Sequence, residues 1–370
     1  MRRGELLART IASIPPSDLD VAAETARLLD AKTKPPGSLG RLEDLACRVA
    51  AIRGSVPDGP LPPAIVVATA DHGVAARGVS AYPQEVTAQM LAAFAGGGAA
   101  ICVLAREAGA RLVVVDAGVI GVSDGVKGVR AEIVDGIRGT EDLTLGPAME
   151  RSTAIGSIER GIAFADELAD EGIQLVGLGE MGIGNTTSAS ALSSALLSEE
   201  PERMCGPGTG LNAERLARKV DAVRKGLAAN GLPDADADPI EVLAAVGGLE
   251  IAFLVGVSLG GSARGIAVML DGFIASTAAL LATRIHSGSG DSMIAATRST
   301  EPAHAYVLEA LDLEPLLDLR LRLGEGTGAA LALPIVRAAV AILTDMATFD
   351  SAGVSGPSAR ADAIAEVGDA

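Results

Sequence analysis

Four short aliphatic runs separated by long alanine-rich stretches are the feature that most narrows what this chain can become. AIVVATA (Ala64–Ala70), RLVVVDAG (Arg111–Gly118), IQLVGLG (Ile173–Gly179) and GIAVMLDG (Gly265–Gly272) read as buried strands, and the residues between them read as helices. Strands that are apolar on both faces lie between helical layers, and strands alternating with helices pair in parallel, so the expected fold class is α/β with a parallel sheet. The 45 glycines beside only 2% aromatics predict an interior of alanine, valine, leucine and isoleucine in which backbones approach closely. The first sixty residues differ. ELLARTIASI, DVAAETARLLDAK and KPPGSLGRLEDLACRVAAI are helical in pattern, and the breaker cluster SVPDGPLPP precedes the first strand. The expected organisation is a small helical domain at 1–60, which C-terminal helices can complete, a large α/β domain at 61–350 and a weakly ordered tail at 351–370.

Composition excludes several function classes. A net charge of −17 repels phosphate backbones and argues against nucleic acid, leaving a small molecule as the expected partner. The uncharged runs Ile251–Ala263 and Gly272–Thr283 fall short of the ~18–20 residues that span a bilayer, so no membrane span is expected. Glu5 and Arg9 interrupt any leader-like apolar region, which argues against export. Cys47, Cys102 and Cys205, odd in number and widely spaced, make neither a disulfide framework nor a zinc cluster and fit a reducing cytoplasm. His72, His286 and His304 show no metal-ligand spacing, so neither a metal nor a cofactor is expected.

The glycine-rich segment GLGEMGIGNTTSASALSSALL follows a strand and opens a small-residue helix, where backbone N–H groups and the helix dipole can hold an anion. It lacks the Gly-Lys-Ser/Thr of a Walker loop. A second glycine turn, MCGPGTGLNAERLARK, leads to Lys219, which can face an anion or simply be solvated on its helix. ATADHGVAARGVSAYPQEVTAQM sets Asp71 and His72 at the carboxyl end of a strand, with Ser80, Tyr82 and Gln89 following. LRLGEGTGAALALPIV places Glu325 between two glycines with no further charge before Arg337. An acid in the first turn of a helix is favoured by the dipole, whereas a lone carboxylate in apolar surroundings suits a general base. The residues alone leave both readings open.

Taken together and in order, KPPGSLGRLEDLA, ADHGVAARGVSAYPQEVTAQM, GGGAAICVLAREAGARLVVVDAGV, GTEDLTLGPAM, GLGEMGIGNTTSASAL, GTGL, GGLEIA, VMLDGFI and EPAHAYVLEALDLEPLLDLRLRLGEGTGAALALPIV resemble the nicotinate-nucleotide:dimethylbenzimidazole phosphoribosyltransferase family of cobalamin lower-ligand synthesis. The resemblance spans nearly the whole chain. It implies a Rossmann-like, mostly parallel sheet flanked by helices, a small helical domain and a homodimer. It also implies transfer of the phosphoribosyl group of nicotinate mononucleotide to 5,6-dimethylbenzimidazole, giving α-ribazole 5′-phosphate and nicotinate. The pyridinium leaves as a neutral ring and needs no acid, whereas the incoming benzimidazole must lose a proton, so one carboxylate suffices. The resemblance assigns that role to Glu325. It assigns nucleotide and phosphate contacts to Glu180, Gly182, Ile183, Gly184, Asn185, Thr186 and Lys219, and the benzimidazole pocket to Ser80, Tyr82, Gln89 and Leu323. The chain departs from the family pattern at Cys102, Pro207 and Arg320. Two other readings are a phosphoribosyltransferase that uses a pyrophosphorylated sugar with magnesium, and a non-catalytic nucleotide-binding protein.

Overall fold

A computed structural model describes residues 2–122, 126–208, 210–233 and 237–356. Most of the expected tail, 357–370, lies outside the described residues, as does Thr209 in the second glycine turn. The chain divides into two compact units, one of residues 1–17 with 61–334 and the other of 18–60 with 335–370.

The larger unit is built on six strands: β1 (Pro63–Ala70), β2 (Arg111–Gly118), β3 (Val129–Ala131), β4 (Leu175–Met181), β5 (Ala267–Leu270) and β6 (Met293–Ala295). Their order is β3-β2-β1-β4-β5-β6 and every pairing is parallel, the doubly wound arrangement of dinucleotide-binding folds. All of β1 and β5 is buried, as the unbroken aliphatic runs require. β7 (Thr297–Ser299) and β8 (Leu317–Leu321) form a separate parallel pair. Strand order reverses between β1 and β4, and that switch opens a crevice beyond the strands' carboxyl ends.

Helix α1 (Glu5–Ser13) belongs to this larger unit, although the breaker cluster at 55–63 predicts one helical domain over 1–60. Leu7 is buried in that unit's core, and a single carboxylate ties the helix start. Glu159 Oε1 accepts from the amides of Gly4, Leu6 and Leu7 at 3.0, 2.9 and 3.2 Å, satisfying donors that a helix start leaves orphaned. In the smaller unit α2 (Leu19–Asp30), capped by Asp18, packs on α3 (Arg41–Arg53) over Leu29, Leu45 and Val49. The C-terminal segment closes on the end of α2, with Lys32 Nζ donating to the Met346 carbonyl at 2.8 Å and the Thr33 amide to Ala347 at 3.0 Å.

The larger unit's remaining helices are α4 (Val86–Ala95), α5 (Ala100–Glu107), α6 (Arg151–Asp170), α7 (Asn185–Leu197), α8 (Pro201–Met204), α9 (Ala213–Ala229), α10 (Pro239–Val246), α11 (Leu249–Ala263), α12 (Phe273–Ile285) and α13 (Ala303–Ala310). Helix α14 (Thr327–Asp345) contains the unit boundary at Pro334, and the short α15 (Phe349–Ala352) follows. Val86–Glu107 and Thr327–Asp345 are long and apolar enough to cross a membrane, which the shorter runs considered in the sequence did not bring out. The first folds as two helices broken at Gly96–Gly98, and α14 begins at the crevice.

The abundance of glycine finds one reason where α6 meets α11. A Cβ at Gly256 would lie 2.0 Å from the Ile158 carbonyl oxygen, and one at Gly161 would lie 2.0 Å from that of Phe253. The two backbones touch, and no larger residue fits. Gly256→Ala should therefore destabilise the larger unit by about 1–3 kcal/mol or more in chemical denaturation. Gly146→Ala, which meets nothing within 4 Å, serves as the neutral comparison; equal stability of the two variants would contradict the packing.

Candidate active site

A cavity of about 400 Å³ lies beyond the carboxyl ends of β4 and β5. One wall is the end of β4 and the turn into α7, contributing Glu180, Gly182, Ile183, Asn185 and Thr186. Another is Leu323, Gly324, Glu325 and Thr327 at the start of α14, and Tyr82 with Val86 and Met90 of α4 closes a third side.

Glu325 sits in a strained turn. Gly324, Glu325 and Gly326 take φ values of 81°, 64° and 82°, left-handed geometry that a glutamate rarely adopts. The turn is held from two sides. The Glu325 amide donates to the Glu180 carbonyl at 3.2 Å. Asp271, just past the end of β5, accepts from the amides of Gly326, Gly328 and Ala329 at 3.1, 2.5 and 3.2 Å. A Cβ at Gly179 would fall 2.5 Å from the Gly326 nitrogen, so β4 and the turn lie backbone to backbone.

The electrostatics follow from burial. Glu325 is 4% exposed, and its Oε2 has no hydrogen-bond partner in the protein. Burial raises its pKa above the ordinary carboxylate value, partly opposed by the amide of Ile101 in the first turn of α5. Glu180, equally buried, is pushed well above the ordinary value by burial and then by the charges of Asp271, Glu250 and Glu325, against a donation from the Asn185 side chain. Asp271 is pushed up to about 7 by burial, while its three amides pull the other way. Carboxylates crowded in an apolar crevice do not all ionise together, so near neutral pH the cluster can retain protons.

Most residues expected from the sequence meet here. Glu180, Gly182, Ile183, Asn185, Thr186, Tyr82, Leu323 and Glu325 line the cavity. Gly184 does not line it but forms the left-handed N-cap of α7, with φ 101°. Lys219 is fully buried, and its Nζ donates to the Gly206 carbonyl at 3.0 Å, so it lies behind the glycine turn. Burial lowers its pKa. Ser80 accepts from the Tyr82 amide, and Gln89 is exposed on α4; neither lines the cavity. The amides expected to cradle an anion are partly engaged, with Ile183 donating to Thr87 Oγ1 at 3.1 Å, Asn185 to Gly182 and Thr187 to Gly184.

Two lining residues carry chemistry that the sequence reading left unassigned. Asp271 lies in VMLDGFI at a strand's carboxyl end, the same positional signal that drew attention to Asp71. Arg322, exposed, is the cation among the described lining residues, and its place three positions before Glu325 was the available clue.

Comparison with known proteins agrees with this geometry. A family model described as phosphoribosyltransferase matches residues 14–354. The nicotinate-nucleotide–dimethylbenzimidazole phosphoribosyltransferase of Desulforamulus reducens is 47% identical over 354 residues, covering 95% of this chain and 99% of that protein. The enzyme of that name from Chloroflexus aurantiacus is 48% identical over 353 residues, covering 95% and 99%. The crystal structure of CobT from Thermus thermophilus superposes with a TM-score of 0.85 at 46% identity, over 91% of this chain and 100% of that one. With this sheet order, this acid-lined crevice and relatives matched nearly end to end, the chain belongs to the nicotinate-nucleotide–dimethylbenzimidazole phosphoribosyltransferase family.

Proposed function

We propose that the protein transfers the phosphoribosyl group of nicotinate mononucleotide to 5,6-dimethylbenzimidazole, with Glu325 as general base. The observation that carries this is the placement of Glu325: buried, held in left-handed backbone at the crevice, with one carboxylate oxygen unpartnered and its pKa raised. The C1′–N bond to nicotinate breaks, and the electron pair returns to the pyridine nitrogen. One benzimidazole nitrogen attacks C1′ from the opposite face, which turns a β-riboside into an α-riboside. The proton on the other nitrogen passes to Glu325. A raised pKa makes the ionised carboxylate a stronger base.

In this reading the flat base lies against Tyr82 and Leu323. The 5′-phosphate sits at the N-terminus of α7, met by Thr186 and the helix dipole, with Arg322 at the mouth supplying the cation expected of Lys219. Glu180 and Asn185 face the ribose. The family's homodimer and a cytoplasmic setting belong to the same proposal. Three free cysteines support the setting, and the exposed Tyr82, Leu319 and Leu323 support an apolar contact near the crevice.

Glu325→Gln keeps size and a hydrogen-bonding oxygen but cannot take a proton, so turnover should fall roughly 10²- to 10⁴-fold with base binding retained. In the wild type the rate should fall as pH drops through a pKa above the ordinary carboxylate range, and that limb should disappear in Glu325→Gln. A variant with near wild-type turnover would leave Glu325 as a helix-terminal acid only. Activity should persist in excess chelator; a rate abolished by chelator and restored by magnesium would favour the pyrophosphorylated-sugar reading. Gly184→Val, forced into φ 101°, should weaken nicotinate mononucleotide binding in calorimetry while circular dichroism stays native. Unchanged affinity would remove this turn from the phosphate site.

A further inference from the structure

Two side chains that the transfer chemistry leaves unused lie behind the turn that opens α7. His72 stands just past the carboxyl end of β1, and Glu250 lies in the first turn of α11. Both side chains are fully buried, and His72 Nε2 is 2.7 Å from Glu250 Oε1. A contact this short places one proton between nitrogen and oxygen. The ring occupies room that glycines leave open: a Cβ at Gly248 would come within 2.4 Å of His72 Cε1, one at Gly182 within 3.4 Å of Nε2, and one at Gly184 within 3.3 Å of the His72 Cβ. The imidazole is thus wedged between the start of α11 and the turn whose Gly182 and Ile183 line the cavity. A buried ionisable pair adds little stability compared with apolar residues of the same size, so folding alone does not call for one here.

We infer that His72 and Glu250 are positioning residues, the pair holding the Gly182–Gly184 turn, and with it the start of α7, where the mononucleotide docks. The inference rests on the phosphoribosyl-transfer reading above. It has an electrostatic corollary. Glu180 is faced by Asp271, Glu250 and Glu325, with Asn185 donating to it, while His72 is faced by Glu250 and Asp71. A negative charge at Glu250 raises the proton affinity of Glu180. Removing it lets Glu180 ionise at lower pH, beside Glu325 and the incoming phosphate.

The test is steady-state kinetics on the purified full chain with nicotinate mononucleotide and dimethylbenzimidazole across pH, beside thermal melts. His72→Leu should raise KM for the mononucleotide roughly tenfold or more while changing KM for the base little. His72→Gln, which keeps a donor toward Glu250, should restore it. Glu250→Gln should move the alkaline limb of kcat/KM for the mononucleotide to lower pH. Wild-type KM in His72→Leu and a wild-type pH profile in Glu250→Gln, with only the melting temperature lowered, would overturn the inference and leave the pair as packing. Should His72→Leu fail to fold, the profile of Glu250→Gln decides on its own. A wild type that turns nothing over overturns the functional reading and this inference with it.

Discussion

One carboxylate, Asp271, holds the active-site turn together. Three successive residues in left-handed backbone form a costly arrangement, and the middle one is a glutamate. The Asp271 side chain takes three amides at the start of α14, groups that a helix otherwise leaves without partners, and so fixes where that helix begins. Glu325 is carried on the same turn, one residue before the first of those amides. The strain is sustained because neighbouring backbones close in on it. Gly179 of β4 lies against Gly326, and the space beside Gly324 is taken by the Glu180 carboxylate. Position and chemistry are thus one problem here, since the groups that orient Glu325 are the groups that crowd it electrostatically.

That crowding gives the crevice its acid–base character. A single buried carboxylate would be a somewhat stronger base than usual. A set of them with little cationic relief shares protons, so the state of one depends on the others. Lys219 stays behind the Gly206 turn, and Arg322 is at the exposed rim. The entering phosphate therefore meets a crevice with little cationic relief, and the protons that the cluster retains limit the repulsion.

The sequence made the sheet legible because its strands are buried on both faces and so uninterrupted; β3, β6, β7 and β8, three to five residues long, carry too little pattern to stand out. Glu325 was visible because it breaks an apolar run, and Glu180 because it ends a strand beside glycines. Asp271 met the same positional rule and passed without a role, as its partners are backbone amides more than fifty residues away. The family resemblance made Lys219 an anion partner where its helix alone allowed a solvated lysine; only tertiary contact shows its ammonium on a backbone carbonyl. His72 and Glu250, 178 residues apart, share no local signal. The grouping of residues 1–17 with the larger unit likewise draws on Glu159, which no local pattern connects to α1.

The closure of the smaller unit has a consequence for synthesis on the ribosome. Lys32, at the end of α2, finds the Met346 carbonyl 314 residues further along the chain. At ~5–20 residues per second, the α2–α3 hairpin emerges tens of seconds before the segment that completes it exists. Through that interval the end of α2, at Lys32 and Thr33, lacks its C-terminal partners while the strands of the larger unit are still being made. The nascent chain thus passes through a stage in which a finished helical pair waits for its complement.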